Sequence, residues 1–236
     1  MKNLISKNNF ALLATAIALL TAPALSAQTL TFGVDLNTAT LNAQNSANAP
    51  FFLDFQLNYG SNTLPTSTVT LSNFQFTNGS ASGSATTTGT VTGNLTASDI
   101  ILTASSTSLM NELYQPFSSG TTDIKFSVSV TGFGVGVTPT SFTSAIMDSS
   151  LGFPAQIFTT APDTESMVVL NLGAAPSIGN VGAFSSLSSA DTNTSVTGVS
   201  ASITPVPEPS TTAAIVGCAV AMVAFIARRF RKPQVA

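Results

Sequence analysis

The chain has 236 residues, of which 7% are charged, with seven basic residues against ten acidic ones and a net charge of −3. It has no histidine, no tryptophan and one cysteine, which excludes a Ser-His-Asp hydrolase, a His-paired thiol enzyme, the usual zinc sites and any internal disulfide. The charged fraction lies far below the roughly 25% of an average soluble protein, and a chain rich in Ser, Thr, Val and Phe instead is expected to be β-rich and exported.

The N-terminal stretch MKNLISKNNFALLATAIALLTAPALSA places Lys2 and Lys7 before an apolar run from Phe10 to Leu20, followed by Pro23 and small residues. This is the layout of a secretory signal peptide, 1–27, cut by signal peptidase between Ala27 and Gln28. The apolar run is well short of the ~20 residues that span a bilayer.

Between residues 28 and 180 the pattern predicts one β-rich ectodomain. Period-two alternation marks strands in TLTFGVD (Thr29 to Asp35), FFLDFQLN (Phe51 to Asn58), TVTLSNFQF (Thr68 to Phe76), IKFSVSVT (Ile124 to Thr131), SFTSAIMD (Ser141 to Asp148) and MVVLNL (Met167 to Leu172). In TVTLSNFQF the inward face changes near Ser72 and Asn73, as at a bulge or in a two-sided strand. Two weak strands are expected near Thr86 to Val91 and Asn94 to Leu102. SLMNELYQPF reads as a short helix from Leu109 to about Gln115, with Ser108 as its cap and Pro116 as its limit. Many short strands with one small helix predict an all-β fold, an antiparallel β-sandwich of jelly-roll-like type.

Residues 181–205 are rich in Ser, Thr, Gly and Ala, and read as a linker. The tail 206–232 follows. Pro207-Glu208-Pro209 keeps the chain extended and out of the next helix. Residues 211–227 are apolar or small throughout, and as a helix they reach about 25 Å, close to the ~30 Å hydrocarbon core once flanking residues extend them. Arg228, Arg229, Arg231 and Lys232 come next and act as stop-transfer charge, which puts the C-terminus in the cytoplasm and the ectodomain outside. Cys218, inside the apolar run, is expected to be a small packing residue.

Pro-Glu-Pro, apolar helix and basic tail in this order resemble the PEP-CTERM sorting signal. The resemblance implies that an exosortase recognises Pro207, Glu208 and Pro209 and cuts nearby, while the helix holds the chain in the membrane. It also implies transit through the inner membrane to the cell surface or an extracellular matrix, in systems that accompany exopolysaccharide or biofilm production. The order PFFLDFQLN, TVTLSNFQF, GSASGSATTTGTVTGNL, NELYQPF, IKFSVSVT and SFTSAIMDSS, from about Pro50 to Leu172, is similar to a group of PEP-CTERM ectodomains to which no activity is attached.

From Gln28 to Thr204 only Lys125 is basic, against nine acids, so nucleic acid is not an expected partner. No Gly-rich phosphate motif follows a strand. Asp54, within a strand, and Glu112 are the least ordinary acids, yet nothing in their spacing marks a catalytic pair, and a non-enzymatic structural domain is expected. The alternative role is a glycan-binding or adhesive module. No cofactor is required; structural calcium, held by oxygen ligands from Asp123, Asp148, Asp163 and Glu165, is the one weighed against that expectation.

Overall fold

A computed structural model describes residues 29–44, 49–60, 66–96, 99–132, 140–149, 153–157, 159–161, 165–172, 181–186 and 198–207, with Gly217, Val220 and Ala221. The expected signal peptide with Ala27 and Gln28, Glu208, Pro209, Cys218 and the basic tail lie outside these residues, as does most of the expected membrane helix. Among the described residues no helix is long and apolar enough to cross a membrane.

The fold is all-β and antiparallel. In chain order the strands are β1 (Leu30–Asn37), β2 (Phe51–Asn58), β3 (Thr66–Thr77), β4 (Thr86–Thr88), β5 (Val91–Thr92), β6 (Asp99–Ser105), β7 (Met110–Phe117), β8 (Asp123–Thr131), β9 (Thr140–Asp148), β10 (Ala155–Gln156), β11 (Val168–Leu172), β12 (Val181–Ala183) and β13 (Ser200–Val206). One sheet has the order β13-β1-β8-β3-β6-β5, the other β12-β11-β9-β2-β7-β4, and β10 pairs with β9.

Alternation decides what lies between the sheets. β8 buries Ile124, Phe126, Val128 and Val130, and β1 buries Phe32, Val34 and Leu36. Facing them, β2 buries Phe51, Leu53, Phe55 and Leu57. The Phe55 ring sits at the centre, 5.4 Å from Phe126 edge-on, 5.9 Å from Phe74 and 6.4 Å from Phe142. Phe74 reaches this cluster because the β3 register shifts between Ser72 and Gln75. Asn73 takes φ 56 there, a left-handed conformation that Asn tolerates better than most side chains. The face change legible in TVTLSNFQF is therefore a bulge.

Three expectations are corrected. The stretch from Leu109 to Gln115 is not helical: from Met110 on it lies in β7, paired along its length with β2, and Leu109 just precedes that strand. Its inward positions include the amides Asn111 and Gln115, and both are satisfied inside. Asn111 donates to the carbonyls of Leu57 and Ser108 and accepts from the Thr90 N–H at 2.6 Å. Gln115 accepts from Leu95 N–H at 2.7 Å and donates to the Gly83 carbonyl. The short helix is instead α1 (Ala39–Gln44), started by Asn37, whose Oδ1 accepts from Ala39 N–H at 3.1 Å, and anchored by buried Leu41. Residues 86–102 hold three strands, β4, β5 and part of β6, where two were expected.

The third correction concerns the linker. Residues 181–186 and 200–206 belong to the sandwich. Phe184 N–H donates to Met167, beside β11, and the Phe184 carbonyl accepts from Ala201 at the start of β13, so this segment stitches one sheet to the other. β13 then pairs with β1 from Asn37↔Ser200 to Thr31↔Val206. It is an edge strand, and Pro205 within it lacks the N–H that a further strand would need, which blunts the edge.

Phe55→Ala removes the ring that three others pack against, and is expected to cost about 3–5 kcal/mol. Urea unfolding of the variant checks this; a loss under 1 kcal/mol would show that the cluster does not carry the core.

Candidate functional site

The outer face of the β2-containing sheet carries a polar cluster where alternation alone would leave solvated side chains. Register sets it up: Asp54 lies opposite Tyr114, and Gln56 opposite Glu112. Gln56 Nε2 donates to Asp54 Oδ2 at 2.9 Å and to Glu112 Oε1 at 3.0 Å, so one amide bridges the two carboxyls. From β10, Gln156 Nε2 donates to the same Asp54 oxygen at 2.8 Å. Phe52 packs edge-on against Tyr114, with ring centroids 5.9 Å apart, beside this group.

Asp54 is only 1% exposed. Its Oδ1 is buried without a hydrogen-bond partner. Burial pushes its carboxyl up to about 7; the Gln156 bond opposes this, nearby Glu112 adds to it, and the Gln56 bond opposes it again. Burial disfavours the charged form because the lost hydration is not fully replaced. The cluster therefore stores a proton near neutrality. The two least ordinary acids of the sequence are brought together, but the Gln56 amide occupies the space between them, where paired-carboxylate hydrolysis would need an open gap of roughly 5–9.5 Å. Gln56 and Gln156 were not visible as partners, because glutamine carries no charge pattern and Gln156 lies 102 residues from Asp54.

Of the acids weighed for calcium, the three described ones, Asp123, Asp148 and Glu165, form no group placed to hold a metal. Asp123 opens β8, where Lys125 Nζ lies 3.0 Å from Asp35 and 3.3 Å from Asp123. The hydrogen bond with Asp123, and then Lys125, hold Asp35 below its ordinary range, whereas burial and then Asp35 push Asp123 up. Asp148 is buried at the end of β9, and Glu165 accepts from Thr159 N–H at 3.2 Å. Asp163 lies outside the described residues. Among those described, no group of three His, Cys, Asp or Glu side chains is placed to hold a metal. Of the three residues expected to form a sorting motif, Pro207 is described: it is exposed and follows β13 directly.

The fold and this cluster define an all-β, antiparallel two-sheet protein with a protonatable carboxyl under its outer face. Comparison with protein-family models, with curated proteins and with solved structures returned no match.

Folded protein keeps the Asp54 proton up to about pH 7, whereas the unfolded chain releases it near 3.8. The stability this proton confers is complete below about pH 4 and is lost as the pH rises through about 7. At about 1.4 kcal/mol per pH unit, the fall is on the order of a few kcal/mol. Asp54→Asn is expected to flatten it, leaving the variant more stable than the parent at pH 8. Urea midpoints from pH 4 to 8 check this, and parallel profiles would contradict it.

Proposed function

We propose that this is an exported, non-enzymatic surface or matrix protein, built on a jelly-roll-like sandwich and sorted by an exosortase through Pro207, Glu208 and Pro209. The resemblance of the tail carries the sorting step: motif, apolar segment and four basic residues stand in order. One structural observation supports it most. The β1–β13 ladder ends at Val206, and exposed Pro207 is the next residue. The motif thus begins where the last hydrogen-bonded strand stops, and cleavage there leaves the sandwich whole. The repeated passage of the chain between sheets, from β1 to β2 to β3 and from β7 to β8 to β9, is what a jelly-roll-like winding requires.

Intact mass of the native protein from membrane and extracellular fractions tests the sorting. The released form is expected to lack residues 1–27 and the tail beyond 207–209, while Glu208→Ala keeps the tail and stays with the membrane. Release of the variant at the parent's level would overturn exosortase handling.

A second reading, glycan binding, is favoured by the outer face of the other sheet. Thr31, Ser129 and Thr70 line up across β1, β8 and β3, and Thr131, Thr68 and Thr103 across β8, β3 and β6. Thr31 and Ser129 hydroxyls share a hydrogen bond of 3.0 Å. Such rows present hydroxyls to a hydroxyl-bearing chain at the strand spacing of about 4.8 Å. On this reading the domain is retained on isolated exopolysaccharide, and Thr70→Lys reduces retention several-fold. Passage of the parent domain unretained, with or without calcium, would remove it.

A further inference from the structure

Strand direction collects particular residues at one end of the sandwich. β1 begins there at Leu30 and β13 ends there at Val206, neighbours through Thr31↔Val206. β8 ends and β3 begins at the same end, through Thr68↔Thr131, and β6 ends there opposite Thr66. β7 begins and β2 ends there, through Asn58↔Met110, and Ser141 of β9 lies opposite Asn58. The two sheets share this end because the turn joining β6 to β7 is closed by reciprocal Ser105 and Ser108 backbone bonds, and Tyr59 N–H, just past β2, donates to the Leu109 carbonyl.

This end differs from the rest of the molecule in two ways. Leu109 is 61% exposed, Met110 47% and Val206 45%. Of the other large apolar side chains exposed among the described residues of the sandwich, Ile101 lies within β6 and Phe153 lies near the opposite end, before β10. Among the described residues this end holds no charge, and the nearest charged side chain along the strands is Glu112, third in β7. Asp35, Asp99, Asp123, Lys125 and Asp148 all lie in the other half of their strands.

The chain leaving this end limits how far away a membrane can be. Residues 207–210 separate Val206 from the apolar segment that starts at Thr211, so even full extension allows at most about 18 Å between them. Before signal removal, the cleavage point after Ala27 is similarly three residues from Leu30, at most about 11 Å. Both tethers leave from adjacent strands.

We propose that this end of the sandwich rests on the phospholipid surface while the chain is membrane-held, with Leu109, Met110 and Val206 as its lipid contacts. The inference rests on the membrane tail proposed above. An end without ion pairs among its described residues, and locally apolar, meets headgroups without the cost of desolvating paired ions; Glu208 follows two residues beyond Val206, in the tether. The opposite end, with Asp123 and Thr77, stands away from the bilayer by the length of an eight-residue strand such as β1, about 27 Å.

The test uses the chain with its C-terminal segment, carrying Cys218→Ala, in vesicles of phosphatidylethanolamine and phosphatidylglycerol that contain a nitroxide-labelled lipid. Leu109→Cys and Thr77→Cys, both at exposed positions, each receive an environment-sensitive fluorophore. Quenching at 109 is expected to exceed that at 77 several-fold. Equal quenching at both positions, in protein that floats with the vesicles, would overturn the lipid-facing end and leave the anchor intact. Protein that does not float with the vesicles would overturn the membrane tail, and this inference with it.

Discussion

The pairing of the first strand with the last is the constraint on which this architecture depends. β1 and β13 are about 170 residues apart in sequence, yet they match in register over seven residue pairs. Closing so long a loop costs chain entropy that grows only slowly with length, and a ladder of backbone bonds backed by Phe32, Val34 and Leu36 in the core offsets it. The ladder does two further things. It brings the start of β1 and the end of β13 side by side, and it makes Pro207, the first residue of the proposed sorting motif, the immediate continuation of a folded strand.

Core and surface follow opposite rules in the two sheets. Inside, the rings around Phe55 supply apolar area, and the bulge at Asn73 turns Phe74 towards them. The outer face of the β13-containing sheet is mostly short and hydroxyl-bearing, and its charged side chains, Asp35, Asp99, Asp123 and Lys125, are gathered towards one end of the strands. On the outer face of the other sheet, which β10 extends by pairing with β9, Asp54 lies with one oxygen held by two glutamines and the other without a hydrogen-bond partner. A buried carboxyl of this kind costs stability when ionised, and its place on a strand otherwise built for packing makes it chemically unusual among the described residues.

Much of the fold was legible in local alternation. In β8 every second residue is large and apolar, and in β2 Phe51, Leu53, Phe55 and Leu57 do the same. β7 was not legible, because two of its inward residues are amides and because Leu109 and Leu113 stand four apart, as on a helix face. Only the partners from distant turns, Thr90, Leu95 and Gly83, make Asn111 and Gln115 suitable for the interior. β13 was hidden by composition: SASITPV is what a linker looks like when its hydrogen-bonding partner lies at the other end of the chain. For the site, Asp54 and Glu112 stood out as residues. Their junction did not, since it runs through Gln56 across a strand pair and Gln156 from a two-residue strand.

Amide hydrogen exchange across residues 200–206 tests the central claim most directly. If β13 is the closing strand of the sandwich, those amides that donate to β1 exchange as slowly as their partners in β1, and slow and fast positions alternate along the strand as on any edge. Uniform exchange at the rate of a free chain would make the segment a linker after all, and would separate Pro207 and the proposed sorting motif from the fold.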